Sequence, residues 1–133
     1  MPHVITTARV LKLAELQDRP SKILDSVISA WLGDDLTAPG EAPRWSGFQG
    51  ETARLIKRAL PGWWWAVGWT VEGGTEFAIE PVPGGPAGHL LEFSTIDPCI
   101  VTRAEPGGKH LCVAMVEAIF RARLLAETNP QSA

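Results

Sequence analysis

Two cysteines and three histidines are the residues of this chain whose types could carry covalent or metal chemistry. Cys99, His110 and Cys112 lie closest together in sequence. With Asp97 they could supply a thiol nucleophile, a base and an orienting acid. The spacing argues against it. His110 and Cys112 are two apart on a predicted helix, so their side chains diverge. No Cys-x-x-Cys or His-x-x-x-His completes a zinc set, and no metal site or catalytic residue is assigned. Both thiols read as reduced structural cysteines.

A second cluster is Gly107-Gly108-Lys109-His110, where a helix is expected to begin. Backbone N–H groups and Lys109 there could hold an anion. It is not a P-loop: Arg103 occupies the position of the required earlier glycine, and no Ser or Thr follows Lys109. A plain helix entry is the favoured reading, with the anion site as the alternative. The carboxylates Asp34-Asp35 and Glu76/Glu80 have no partner that would mark an acid–base pair. Glu76 and Glu80 are expected to solvate one strand face or guard a sheet edge. No nucleophile sits with a base, so a non-enzymatic protein without a cofactor is expected.

Tryptophan is the other chemistry on offer. Four of the six fall within Trp63-Trp64-Trp65-Ala66-Val67-Gly68-Trp69-Thr70-Val71. With period two, Trp63, Trp65, Val67, Trp69 and Val71 share one face of a strand, and Trp64, Ala66, Gly68 and Thr70 the other. The odd face is so apolar that Trp63, Trp65 and Trp69 are expected in the core. Trp64 points the opposite way, into core or onto a contact surface. Trp45, in a Pro-rich loop, is expected to be an exposed anchor. Trp45 and Trp64 are therefore the candidate partner-binding residues.

The elements that position these groups follow from pattern. Helices are predicted over 7–16, 21–32 and 46–60, with Leu24, Val27, Ile28 and Trp31 forming one apolar stripe. Gly33 is placed as a C-terminal cap and Pro61-Gly62 as a stop. Strands are predicted over 63–71, 76–82 and 89–96, with a short fourth at 99–103. A last helix over 109–126 carries the stripe Leu111, Met115, Ala118, Ala122 and Leu125, followed by a frayed tail. Helices, then an antiparallel meander of three to four strands, then a helix make an α+β layered fold. The 133 residues form one domain, with an ordered core at about 8–126.

Composition narrows the partners. Net charge is −3 with scattered Lys and Arg, which argues against nucleic acid. No apolar run is long enough for a bilayer and no signal-peptide pattern opens the chain, so a cytoplasmic protein with no membrane partner is expected. A homodimer stays open.

Several segments resemble small phage and prophage proteins. These are Leu11-Lys12-Leu13-Ala14-Glu15-Leu16, Arg19-Pro20-Ser21-Lys22-Ile23-Leu24-Asp25, and Ala30-Trp31-Leu32-Gly33. Thr52-Ala53 through Leu60-Pro61-Gly62-Trp63-x-Trp65 and Lys109-His110-Leu111-Cys112-Val113-Ala114 continue the likeness. Together they resemble the phage α/β/α sandwich family. Asp18-Arg19 stands where that family has Gly before Pro20, and Glu105-Pro106-Gly107-Gly108 replaces a shorter link. The resemblance implies a sheet covered by helices on both faces and a small core position at Cys112. It implies no activity, cofactor or site. The function expected is that of an accessory phage protein that binds a host or phage protein in the bacterial cytoplasm. Its most concrete form is an anti-CRISPR-like inhibitor of a host defence system. The alternatives are a small-molecule or anion-binding module, or a structural component of the phage particle.

Overall fold

The computed structural model describes residues 4–34, 42–92 and 95–131. Its elements are α1 (Thr7–Glu15), α2 (Lys22–Leu32), α3 (Gln49–Ala59), β1 (Trp63–Trp69), β2 (Thr75–Pro81), a 3-10 turn η1 (Gly88–Glu92), β3 (Ile100–Ala104) and α4 (Leu111–Thr128). The α+β class, the three leading helices and the closing helix are those expected from sequence.

Local signals set the helix ends. Ser21 Oγ accepts from Leu24 N–H at the start of α2, and Gly33 ends it in the left-handed conformation. α3 begins later than predicted, because Ser46 belongs to the turn before it rather than to the helix. Gly62, at φ +82°, turns the chain from α3 into β1. A Cβ there would collide with Pro86 Cδ, so the corner requires glycine.

The sheet is an antiparallel meander of order β1-β2-β3. Trp63, Trp65, Val67 and Trp69 pair with Pro81, Ile79, Phe77 and Thr75, and the last three of these pair on with Ile100, Thr102 and Ala104. This is the inner face. The third predicted strand, 89–96, is not one: residues 88–92 form η1, and 93–94 lie outside the described residues. Gly88 N–H bonds Gly85 C=O and Leu90 N–H bonds Ala87 C=O, so tight local bonds satisfy that backbone. Its apolar alternation arises from one buried residue, Leu90, beside a partly exposed Leu91.

α4 is the helix that packs on the sheet, across β2 and β3. α1 and α3 pack on α4, and α2 on α1. Sandwiched in this way, α4 buries Val113, Met115, Val116, Ile119 and Phe120 around most of its circumference, not along the single stripe predicted. It also runs two residues further, because Glu127 is held by Thr7 Oγ1 at 2.8 Å and Arg123 Nε at 2.9 Å.

Among the described elements, helices pack on only one face of the sheet, unlike the two-sided covering that the resemblance implies. The helix layer also ends at β2, so β1 overhangs it. The inner-face tryptophans grade outward in consequence. Trp63 is 8% exposed, Trp65 39% and Trp69 84%. The expectation that all three are core holds for Trp63 alone. Period two identified their common face correctly, but a common face is buried only as far as something lies over it.

Candidate functional site

The outer face of the sheet is built from Trp64, Ala66 and Gly68 on β1, Glu80, Ala78 and Glu76 on β2, and Val101 and Arg103 on β3. Trp64 is 51% exposed and Val101 47%. The small residues Ala66 and Ala78 form the floor of a shallow depression. Trp64, Glu80 and Cys99 wall it, enclosing about 280 Å³. The Trp64 indole reaches across to β2, where Nε1 donates to Glu80 Oε1 at 3.0 Å. That bond joins two of the residues that line the depression. Arg103 pairs with Glu76 at 2.7 Å further along the face, leaving Glu80 to serve Trp64. The edge beside this face carries Trp65, Val67 and Trp69, and Val71 in the following turn is fully exposed. The result is an aromatic, uncharged strand with a polar rim, the composition of an interface centre.

Trp45, the other predicted anchor, is not on the surface. It is fully buried. Its Nε1 donates to Ser29 Oγ at 2.9 Å, and its carbonyl accepts from Thr52 Oγ1 at 2.6 Å. The next residue, Ser46, donates through N–H and Oγ–H to Asp25 Oδ1 at 2.8 and 2.7 Å. Asp25 and Ser29 are one turn apart on the buried side of α2, flanked by Leu24 and Ile28. The loop is therefore pinned inward by α2. Burial raises the Asp25 carboxyl above its usual value, opposed by the two Ser46 bonds and the Arg44 charge. Sequence reading passed over this pair. The signal was a carboxylate and a hydroxyl four apart within an apolar stripe.

In the Gly107 to His110 cluster, Lys109 and His110 are engaged by the chain's own groups. Lys109 Nζ bonds Glu117 Oε1 at 2.7 Å and reaches the Glu15 carbonyl at 3.4 Å. His110 caps α4, its Nδ1 accepting from Cys112 N–H at 3.1 Å. His110 N–H in turn donates to the Asp18 carbonyl at 2.7 Å. These bonds tie the start of α4 to the end of α1 and pair the Lys109 ammonium with the Glu117 carboxylate.

The cysteines do not meet. Cys112 is 3% exposed, and burial pushes its thiol above the ordinary value, with the Thr52 hydroxyl opposing and the Asp25 charge adding. Cys99 is half-buried, and burial with the Glu80 and Asp97 charges pushes its thiol up as well. Asp97 Oδ1 accepts from Cys99 N–H at 3.1 Å and so serves a turn. His110 faces the backbone N–H of Cys112, not its sulfur. Among the described residues, no three His, Cys, Asp or Glu side chains converge as a metal site. Asp34 pairs with Arg58, while Asp35 lies outside the described residues. No helix among the described residues is long and apolar enough to cross a membrane.

No known protein-family model, curated protein or solved structure matches this chain.

Proposed function

We propose that this chain is a small phage or prophage accessory protein that acts without catalysis, by binding a protein partner in the bacterial cytoplasm. The observation that carries this reading is Trp64, half-exposed on an open sheet face and hydrogen-bonded to Glu80 beside a side-chain-sized depression. A Trp ring has few rotatable bonds to order on binding and offers large apolar area. Trp is enriched among interface hot spots, where truncation to Ala costs about 2 kcal/mol or more. The rim carboxylates Glu76 and Glu80 supply the polar boundary. The resemblance of the helix and strand motifs to phage proteins supports the accessory class. Inhibition of a host defence system is the most concrete form of the proposal, since it needs a rigid binding surface and no active site.

The test is capture from lysate of a bacterial host with the tagged chain, alongside Trp64→Ala. A stoichiometric protein partner, lost with Trp64→Ala at unchanged thermal stability, is the expected result. A defence component as that partner establishes the inhibitor form. A clean blank from folded wild-type bait overturns the reading.

A further inference from the structure

The backbone of β1 divides by parity. Val82 N–H bonds the Gly62 carbonyl at 2.8 Å, and Thr70 N–H bonds the Gly74 carbonyl at 2.9 Å. Between these ends Trp64, Ala66 and Gly68 pair with Glu80, Ala78 and Glu76. Antiparallel ladders alternate bonded and non-bonded pairs. The even residues of β1 therefore bond β2, and the N–H and C=O groups of Trp65, Val67 and Trp69 point away from it. β1 ends the sheet, and no strand among the described residues pairs with that edge. Sheet edges are ordinarily blunted by charge, proline or a bulge. From Trp63 to Val71 there is no charged residue and no proline, and the ladder with β2 runs unbroken.

We infer that a second copy of this chain occupies the edge, joined β1 to β1 antiparallel about a two-fold axis through Val67, giving one continuous six-stranded sheet. The register is self-consistent. An axis at Val67 sets that residue against its own copy and Trp65 against the partner's Trp69. These are the residues whose edge groups are open, so each donor meets an acceptor. The side chains agree: Trp65 and Trp69 share a face, and the pairing stacks each on the other's counterpart across the strands, a favoured aromatic arrangement.

The ends agree in charge. Lys57 and Glu72 are both exposed, and neither is in an ion pair among the described residues. Lys57 borders a groove of about 350 Å³ with Leu60, Pro61 and Trp63 at the start of β1, while Glu72 follows the strand's end. The two-fold axis brings each Lys57 toward the partner's Glu72, and the fully exposed Val71 toward that apolar groove. Self-association is thus met by opposite charges at both ends and opposed by none in the middle.

The inference rests on reading β1 as a binding strand, but it uses the backbone edge and not the outer-face depression that Trp64 walls with Glu80 and Cys99. Sedimentation equilibrium with backbone hydrogen exchange tests it. The wild type is expected at twice the 14.4 kDa chain mass, with slow exchange at Trp65, Val67 and Trp69. Trp69→Lys, at a position 84% exposed in the single chain, is expected to give a folded monomer whose melting temperature, unlike the wild type's, does not change with protein concentration. Those three amides should then exchange fast, while Ala66 and Gly68 stay slow. Lys57→Glu and Glu72→Lys are each expected to weaken the dimer by about 2- to 5-fold per contact, and together to restore it. A monomeric wild type overturns the inference and leaves host-protein capture through Trp64 intact. A dimer whose three edge amides exchange fast overturns the strand pairing, as does protection that arises only on adding a foreign protein.

Discussion

Trp45 donates its indole Nε1–H to Ser29 Oγ at 2.9 Å, with both side chains fully buried. Together with the two Ser46–Asp25 bonds, it closes the loop before α3 onto α2, sixteen positions earlier in the chain. It converts a polar group that burial would penalise into a positional lock. Arg54 lies over the same ring at 5.7 Å, covering it from the solvent side.

Trp45→Phe keeps most of the apolar volume and leaves the Ser29 hydroxyl without its donor. A loss of about 1–3 kcal/mol is expected from the broken buried bond and the smaller ring. Trp45→Ala should cost about 3–5 kcal/mol, the range for emptying a large aromatic site. Chemical denaturation of both variants measures this. A loss below that of an exposed substitution such as Trp69→Ala would show that the loop does not depend on Trp45.

Asp25 and Asp34 should respond to pH in opposite senses. Burial raises the Asp25 carboxyl above 3.8, so the native state holds that proton more tightly than the unfolded chain. Its contribution to stability therefore falls as pH rises from 3.8 through the native value, and remains reduced at neutral pH. Asp34, bidentate with Arg58, has its carboxyl lowered by that hydrogen bond. Its contribution is present above 3.8 and is lost as pH falls through the native value. Asp25→Ala strands the Ser46 donors and should cost about 1–3 kcal/mol at neutral pH, and more in acid. Asp34→Asn should cost less than about 1 kcal/mol at neutral pH, as a part-exposed pair, and nothing in acid. Stability curves across pH for the two variants should diverge in these directions.

How much was legible in advance differs by element. The helices and the Trp strand declare themselves because 3.6- and two-residue periodicities are local. Asp25 and Ser29 show why the candidate site was harder. Their partners Ser46 and Trp45 lie 21 and 16 residues away, and a Pro-rich segment reads as exposed unless those partners are known. Trp69 fails for the converse reason: its apolar neighbours argue for a core, yet the helix layer stops one strand short of it. Period cannot report the width of the layer above. The 89–96 segment alternates as a strand would, but residues 88–92 form a 3-10 turn whose local bonds begin at Gly85.

Lys109 bears on the anion-binding alternative. It and Glu117 are 19% and 13% exposed and 2.7 Å apart, with Arg121 adding a second contact to Glu117 at 2.8 Å. An incoming phosphate would have to displace a partly buried carboxylate. Added phosphate or nucleotide is therefore expected to leave the melting temperature unchanged. Lys109→Ala should lower stability by about 1–2 kcal/mol, since Glu117 loses one of two charged partners in a shielded position. A phosphate-dependent rise in melting temperature that disappears with Lys109→Ala would favour the anion module instead.

The thiols decide the remaining chemical alternative. A catalytic cysteine needs thiolate at neutral pH, and thiolates form where positive charge or a helix start lowers the thiol. Cys112 lies in the first turn of α4, but burial raises its thiol against the opposing Thr52 hydroxyl. Cys99 is more accessible, yet it stands beside the Glu80 and Asp97 carboxylates, which oppose a further negative charge. Both should therefore alkylate more slowly with iodoacetamide at neutral pH than a free cysteine. Cys99 should react ahead of Cys112, whose labelling should require unfolding. Raising the pH should accelerate Cys99 only above the ordinary thiol range. Rapid labelling of either residue at neutral pH would mean that a nearby group activates the thiol, and would reopen an enzymatic role.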